Sequence, residues 1–368
     1  MSRHTQIAVL AAMLAAAGGV AAHHSSTPHY DESKQVTLVG VITEFKMVNP
    51  HSFVYLDVKG ADGKVEHWNC EMSSVAILQR NGVTKQMLAP GDRVTINAFP
   101  AWRDPHGCSF VSVILKDGTT LDRFGSVRKE SVVTNKGPGL PTAVVPASRT
   151  FAGNWIGGGG PPKDPVNFDT LLTPAGKAAL AKYDVRYDDP GLRCSPASIL
   201  RAWGEPFEVT EITQTAAQIT IRHEYMDTVR TVDMRTRQHP ANLKPSLLGH
   251  SVGWFDGDAL VIETVGFTAG VLMPNPPLLH SEQMKMIERL TLSADGSELA
   301  RSYEVTDPKY FKAPLTVNNY PCLWTCKWRR TTATVTPYQC NDLTGINNRR
   351  PKAGDKAADK APVKPGAK

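Results

Sequence analysis

Four Asp-Gly dipeptides, Asp62-Gly63, Asp117-Gly118, Asp256-Gly257 and Asp295-Gly296, each sit between two short runs of alternating apolar and polar residues. Asp-Gly between such runs is a strong hairpin signal, because a type I′ turn needs positive φ at both central residues. The chain therefore reads as antiparallel β. Helical patterns are confined to residues 73–80 and to a stretch that opens at Thr173 as N-cap, has Pro174 in its first turn and runs to about Tyr183.

The 368 residues allow two domains. Strand-like runs at 36–45, 53–58, 65–70, 93–98 and 110–115, with a short helix between the third and fourth, follow the order of an OB-like five-stranded barrel over residues 23–124. Residues 125–149 are rich in Pro, Gly and Ser, lack apolar periodicity and read as a linker. Residues 150–342 hold runs at 207–213, 218–225, 229–234, 250–255, 258–265, 284–293 and 297–306. That succession predicts a larger antiparallel, calycin-like barrel, a shape that can enclose one small ligand.

The two ends read differently. Arg3, the apolar run from Ile7 to Ala17 and the small residues Val20-Ala21-Ala22 form the pattern of a secretory signal peptide over residues 1–22, cut before His23. The run is shorter than the roughly 20 residues a transmembrane helix needs, and no later segment is long enough. A periplasmic or secreted protein is expected. Residues 343–368 form a Lys/Ala/Pro/Gly tail expected to be disordered. From Arg349 onward it holds seven basic residues against two acids, which together with Arg3 accounts for the whole formal charge of +6. The folded body is thus neutral and lacks both the basic face and the aromatic row of a nucleic-acid binder.

Six cysteines in an exported chain point to disulfides. Cys70 and Cys108 can pair within the first domain. Cys194, Cys322, Cys326 and Cys340 allow three connectivities, of which Cys194–Cys340 with Cys322–Cys326 is favoured. Zinc would need a second pair to match the C-x3-C, and none is present.

His23-His24-Ser25, the run from Val39 to Phe45, Asn49-Pro50-His51 and Pro90-Gly91-Asp92 resemble an uncharacterised family of exported bacterial proteins, known only as a domain of unknown function. Thr173-Pro174-Ala175-Gly176, the run from Asp188 to Cys194, Gly249-His250-Ser251-Val252-Gly253-Trp254 with Gly257-Asp258, His280-Ser281-Glu282 and Asp307-Pro308 resemble a β domain of similar proteobacterial proteins. The resemblance covers most of the mature chain and implies no activity.

Function must come from the residues. Gly249-His250-Ser251-Val252-Gly253 matches G-x-S-x-G, but the nucleophile elbow needs a strand turning into a helix, and this string continues into a hairpin. With Asp256-Gly257 as a two-residue turn, Trp254 faces Ala259, Val252 faces Val261 and His250 faces Glu263, on an apolar side taken as inward. With Asp295-Gly296 as turn, Leu290 faces Arg301 and Glu288 faces Tyr303, again inward. Alternation adds His223 and Arg230. Buried charges need partners, so this set predicts either an internal ion-pair network or a ligand pocket. In the pocket, His223, Arg230, Trp254, Arg301 and Tyr303 would contact a small, partly apolar molecule. An enzyme of isomerase, cyclase, dehydratase or hydrolase type would use His250 with Glu263, or Glu288, for acid–base work. No organic cofactor is implied. A third reading is copper or another metal, chelated by an N-terminal His23 with help from histidines of the first domain such as His51.

Overall fold

The computed structural model describes residues 29–338 apart from 50, 103, 116, 126, 129–149, 158–167, 206, 275 and 317–325. The signal-peptide pattern, His23, most of the linker, Cys322, Cys340 and the basic tail lie outside the described residues.

The first barrel follows from the alternation. β1 (Val36–Lys46), β2 (Phe53–Lys59), β3 (Val65–Glu71), β4 (Arg93–Pro100) and β5 (Gly107–Ile114) pair in the order β3-β2-β1-β4-β5, and a parallel β3–β5 pairing closes the ring. In β1 the buried positions Leu38, Gly40 and Ile42 keep strict period two. A bulge between Ile42 and Glu44 then shifts the phase, so Phe45 points inward and Glu44 outward. Such bulges curl a strand into a barrel. Gly40 lies where β2 crosses closely: a Cβ there would sit 2.6 Å from the Asp57 carbonyl oxygen.

α1 (Val75–Arg80) lies between β3 and β4, capped by the Ser74 side chain accepting from the Ile77 N–H. Asn49 accepts from the Val75 N–H at 3.0 Å, which gives one residue of the Asn-Pro-His motif a structural role. β6 (Thr120–Asp122) and β7 (Val127–Arg128) extend the sheet beyond β5. Cys70 and Cys108 face each other across the β3–β5 closure and form the expected disulfide.

The second barrel is larger. Its strands are β8 (Gly153–Gly157), β9 (Val209–Gln214), β10 (Gln218–His223), β11 (Val229–Asp233), β12 (His250–Asp256), β13 (Ala259–Val265), β16 (Lys285–Leu292), β17 (Glu298–Thr306) and β19 (Lys327–Arg330). They run β16-β13-β12-β11-β10-β9-β8-β19-β17, and β17 pairs back to β16 to close the ring. β18 (Leu315–Thr316) adds to β17, and β14 (Gly270–Pro274) with β15 (Pro277–His280) forms a separate ribbon. Every ring contact is antiparallel except β11–β12, a parallel seam only two residue pairs long. α2 (Pro174–Leu180) starts at the Thr173 cap as expected, followed by the short α3 (Val185–Asp188). α4 (Ile199–Gly204), buried along its whole length, packs against β14 and carries Trp203 into the core.

All four Asp-Gly pairs join antiparallel neighbours, but the turns are not type I′. Only the glycines take positive φ, at +81°, +78°, +61° and +69° for Gly63, Gly118, Gly257 and Gly296. Asp62, Asp117 and Asp295 instead accept from the N–H two residues on, at 3.0, 2.9 and 3.1 Å. Around Asp256 the two-residue turn is Gly257-Asp258, with Gly257 in the left-handed position that a II′-type turn reserves for glycine. Asp256 therefore pairs with Ala259, Val252 with Glu263 and His250 with Val265. The β16–β17 register matches expectation residue for residue.

The two barrels touch. Arg80 donates from Nη2 to both carboxylate oxygens of Glu224, at 2.8 and 2.9 Å, and from Nη1 to the Phe207 carbonyl at 2.6 Å. Ile77, Phe124 and Phe207 form a small shared core. Cys194 and Cys326 are both disulfide-bonded, while Cys322 and Cys340 lie outside the described residues.

The Cys70–Cys108 bond bridges 38 residues at the closure of the first barrel. Cross-links of that span typically contribute about 2–4 kcal/mol. A Cys70→Ala/Cys108→Ala variant should lose about that much in urea titration followed by near-ultraviolet circular dichroism.

Candidate functional site

β10, β11, β16 and β17 each carry an apolar inward row interrupted by polar groups. Ile219, Ile221 and Val232 point into the barrel with His223 and Arg230, and Met286, Leu290 and Val305 point in with Glu288, Arg301 and Tyr303. All five polar residues are no more than 5% exposed. So β10, β11, β16 and β17 bring together five of the eight residues that sequence alternation proposed for the pocket.

Glu288 is the hub. One carboxylate oxygen accepts from Arg301 Nε at 2.8 Å and the other from Arg230 Nη1. Burial alone would raise its pKa, but the two guanidinium groups outweigh burial and hold it at about 2. Glu288 is therefore a permanent anion near neutral pH, a counter-ion rather than a proton donor. The acid–base work expected of Glu288 asks for a carboxyl whose pKa is raised by burial, and the two arginines act in the opposite direction.

His223 is the reverse case. Burial, reinforced by the Arg230 charge, lowers its pKa to about 3, so the ring is neutral. Nδ1 lies 2.9 Å from Thr210 Oγ1. Trp203 stacks edge-on against both His223 and Trp328, each with ring centroids 4.8 Å apart, and the Arg301 guanidinium sits 5.5 Å from the Trp203 ring and 5.0 Å from the Tyr303 ring.

Trp203 and Thr210 belong to this cluster and were not among the sequence candidates. α4 is only six residues long with no polar face, so periodicity could not reveal it; the one usable signal was Ser198, whose side chain caps the Arg201 N–H at 3.1 Å.

His250, Glu263 and Trp254 lie elsewhere. In the observed register they share the outer face of β12 and β13, while Ser251, Leu260, Ile262 and Thr264 face inward. The expected inward His250–Glu263 pair does not form. Both faces of this hairpin are apolar because the 234–249 connection covers the outside. Arg237 stacks on Trp254 at 4.9 Å, and His239 Nδ1 meets His250 Nδ1 at 2.9 Å. His239 Nε2 faces Glu263 at 3.4 Å, and Lys285 pairs with Glu263. Glu263 and His250 are thus linked through His239.

Ser251 of the G-x-S-x-G string is buried in strand β12 and bonded to Thr264 Oγ1 at 2.9 Å, with no elbow. In the first barrel His51 is taken up by Glu71 at 2.9 Å, and Tyr30 also donates to that carboxylate. Among the described residues no group of three or more His, Cys, Asp or Glu is arranged to hold a metal.

The outer and inner clusters meet at the parallel seam. Before Val232 and Ser251 the two strands separate, leaving a cleft of about 560 Å³ lined by Gln218, Arg230, Thr231, Leu248, His250 and Ser251. Arg230 belongs to both this cleft and the inner cluster. A second groove of about 630 Å³ runs past Arg237, Trp254 and Phe255.

Residues 11–110 match the model described as "Family of unknown function (DUF6152)". That span ends inside β5, so it takes in nearly all of the first barrel. No curated protein matches the chain. Among solved structures, the Ifi202 HINa domain in complex with 20bp dsDNA aligns over 72% of this chain and 98% of its own, at 10% identity and a TM-score of 0.14. A score that low assigns neither fold nor ligand. No helix among the described residues is long and apolar enough to cross a membrane.

Two outcomes follow from the inner cluster. His223 has a folded-state pKa below its unfolded value of 6.5. The unfolded chain thus binds the extra proton between pH 6.5 and about 3, and stability falls as pH drops through that window, by up to about 1.4 kcal/mol per pH unit. His223→Gln, which keeps a partner for Thr210, should flatten this part of a pH–stability curve measured by urea unfolding. Glu288→Gln strands two buried guanidinium groups and should cost about 3–5 kcal/mol in the same assay.

Proposed function

We propose that this chain is an exported, periplasmic or secreted protein that binds a small, partly apolar molecule in its second barrel, entering by the β11–β12 cleft. The observation that carries the reading is the setting of Arg230. It lines an open cleft, yet its side chain ends in a charged cluster walled by Trp203, Ile221 and Leu290. A cleft with apolar walls and few convergent polar groups is the usual form of a small-molecule site. Export is supported by the residue 1–22 pattern and by the disulfides at Cys70, Cys108, Cys194 and Cys326.

Native mass spectrometry of protein released from the periplasm, without refolding, should show a bound small molecule. Thr231→Trp places a large ring on an exposed cleft position. It should abolish the adduct while shifting Tm by no more than about 2 °C. An adduct that survives this change, or protein that carries none, would sink the reading.

The enzyme reading has one observation in its favour, the Glu263–His239–His250 chain at the rim of the same cleft. Glu263 lies 3.4 Å from His239 Nε2 without a hydrogen bond to it, near enough for its charge to favour the proton on that nitrogen, so that His239 Nδ1 accepts from His250 Nδ1–H. That leaves His250 Nε2 as a base. Once a ligand is identified, His250→Gln should remove turnover and leave binding within about twofold if His250 acts only on the proton.

A further inference from the structure

The inner cluster has more hydrogen-bond donors than acceptors. Glu288 spends both oxygens on Arg230 Nη1 and Arg301 Nε. Arg230 Nε and Nη2, Arg301 Nη2, Tyr303 Oη and Trp203 Nε1 are all buried with no partner. In each arginine, Nε and Nη2 form one edge of the planar guanidinium. Arg230 therefore presents a complete, unused two-pronged edge, the shape that matches a carboxylate.

Charge gives the same answer. Arg230 and Arg301 face one carboxylate, and His223 is neutral. One buried positive charge is left without a counter-ion, an arrangement that costs several kcal/mol unless something fills it. Buried unpaired donors in a folded protein commonly mark an absent water or ion. A monoanion would neutralise the cluster, whereas a dianion would overshoot it by one charge.

Accepting the ligand-binding reading above, we infer that the molecule taken up by the second barrel is a monocarboxylic acid with an apolar body. Its carboxylate docks on the Nε/Nη2 edge of Arg230 and on Arg301 Nη2, with the Tyr303 hydroxyl and Trp203 indole as further donors. Its body lies toward the apolar wall that includes Ile221 and Leu290. Glu288 is a positioning residue, since it holds both guanidinium groups and touches the anion through neither oxygen.

The test uses the full mature chain, dialysed free of small molecules. Hexanoate and benzoate are titrated against their neutral amides, hexanamide and benzamide, and against inorganic phosphate. The readouts are calorimetry and tryptophan fluorescence, since Trp203 stands in the site. Both carboxylates should bind at least about 10-fold tighter than their amides, because hydrogen bonds to charged groups contribute roughly 1.5–3 kcal/mol. Arg301→Met leaves a neutral Arg230–Glu288 pair, which folds without an excess charge. It should erase the preference for carboxylate over amide. Tyr303→Phe, which changes no charge, should weaken hexanoate by about 3- to 10-fold.

Amides binding as tightly as the acids would overturn the carboxylate assignment while leaving a ligand in the barrel. Phosphate binding as tightly as hexanoate would overturn the apolar body. Failure of every probe, together with adduct-free protein from the periplasm, would overturn both this inference and the reading it rests on.

Discussion

Glu288 lies at the centre of the second barrel, and the surrounding structure depends on how its charge is met. A carboxylate with no exposed surface survives only if ion pairs and hydrogen bonds replace the water it has lost. Arg301 comes from the neighbouring strand β17, two residue pairs along the ladder and on the same face. Arg230 reaches across from β11. The three side chains thus tie together strands that are far apart in the ring. They bear on the barrel's closure as well as on its interior chemistry.

The β11–β12 seam follows from strand number, because a closed ring of nine strands cannot alternate in direction all the way round. A ring of antiparallel strands would be closed all round, but these two strands run parallel and pair over only two residues. The 234–249 connection needed to return the chain then covers the outer face of β12 and β13. It turns what looks like an inward row of His250, Val252 and Trp254 into a second, outside interface. The seam opens a cleft, and Arg230 joins cleft to core. The first barrel answers a different need. Its closure is sealed covalently at Cys70–Cys108, and it meets the second barrel through Arg80, Glu224 and the Phe124–Phe207 contact.

Much of this was legible in the residues. Period-two alternation located all five strands of the first barrel, and the OB-like order followed from one helix in the right gap. The β16–β17 register came out correctly because the Asp295-Gly296 loop keeps the strands in phase. The β12–β13 register did not, since Gly257 rather than Asp256 opens the turn and each pair moves by two residues. β8 and β19 escaped notice for a physical reason: Gly153–Gly157 reads as loop, and Lys327–Arg330 reads as charged surface. Yet Arg330 is turned inward, donating to the Gly296, Ala152 and Thr150 carbonyls and stacking on Trp155.

The sequence by itself determined that the chain is mainly β, that it divides into an OB-like barrel and a larger one, and that Glu288, Arg301 and Tyr303 share a face. Each of these rests on local periodicity or on turn chemistry, which act over a few residues. Only the tertiary structure decided which face of the β12–β13 hairpin is inside, because both faces are covered by protein and alternation carries no sign. It alone brought Arg230 to Glu288 and Trp203 to Arg301, and left the site with more donors than acceptors. Those contacts join residues more than fifty positions apart, and a count of donors against acceptors exists only once the chain has closed around them.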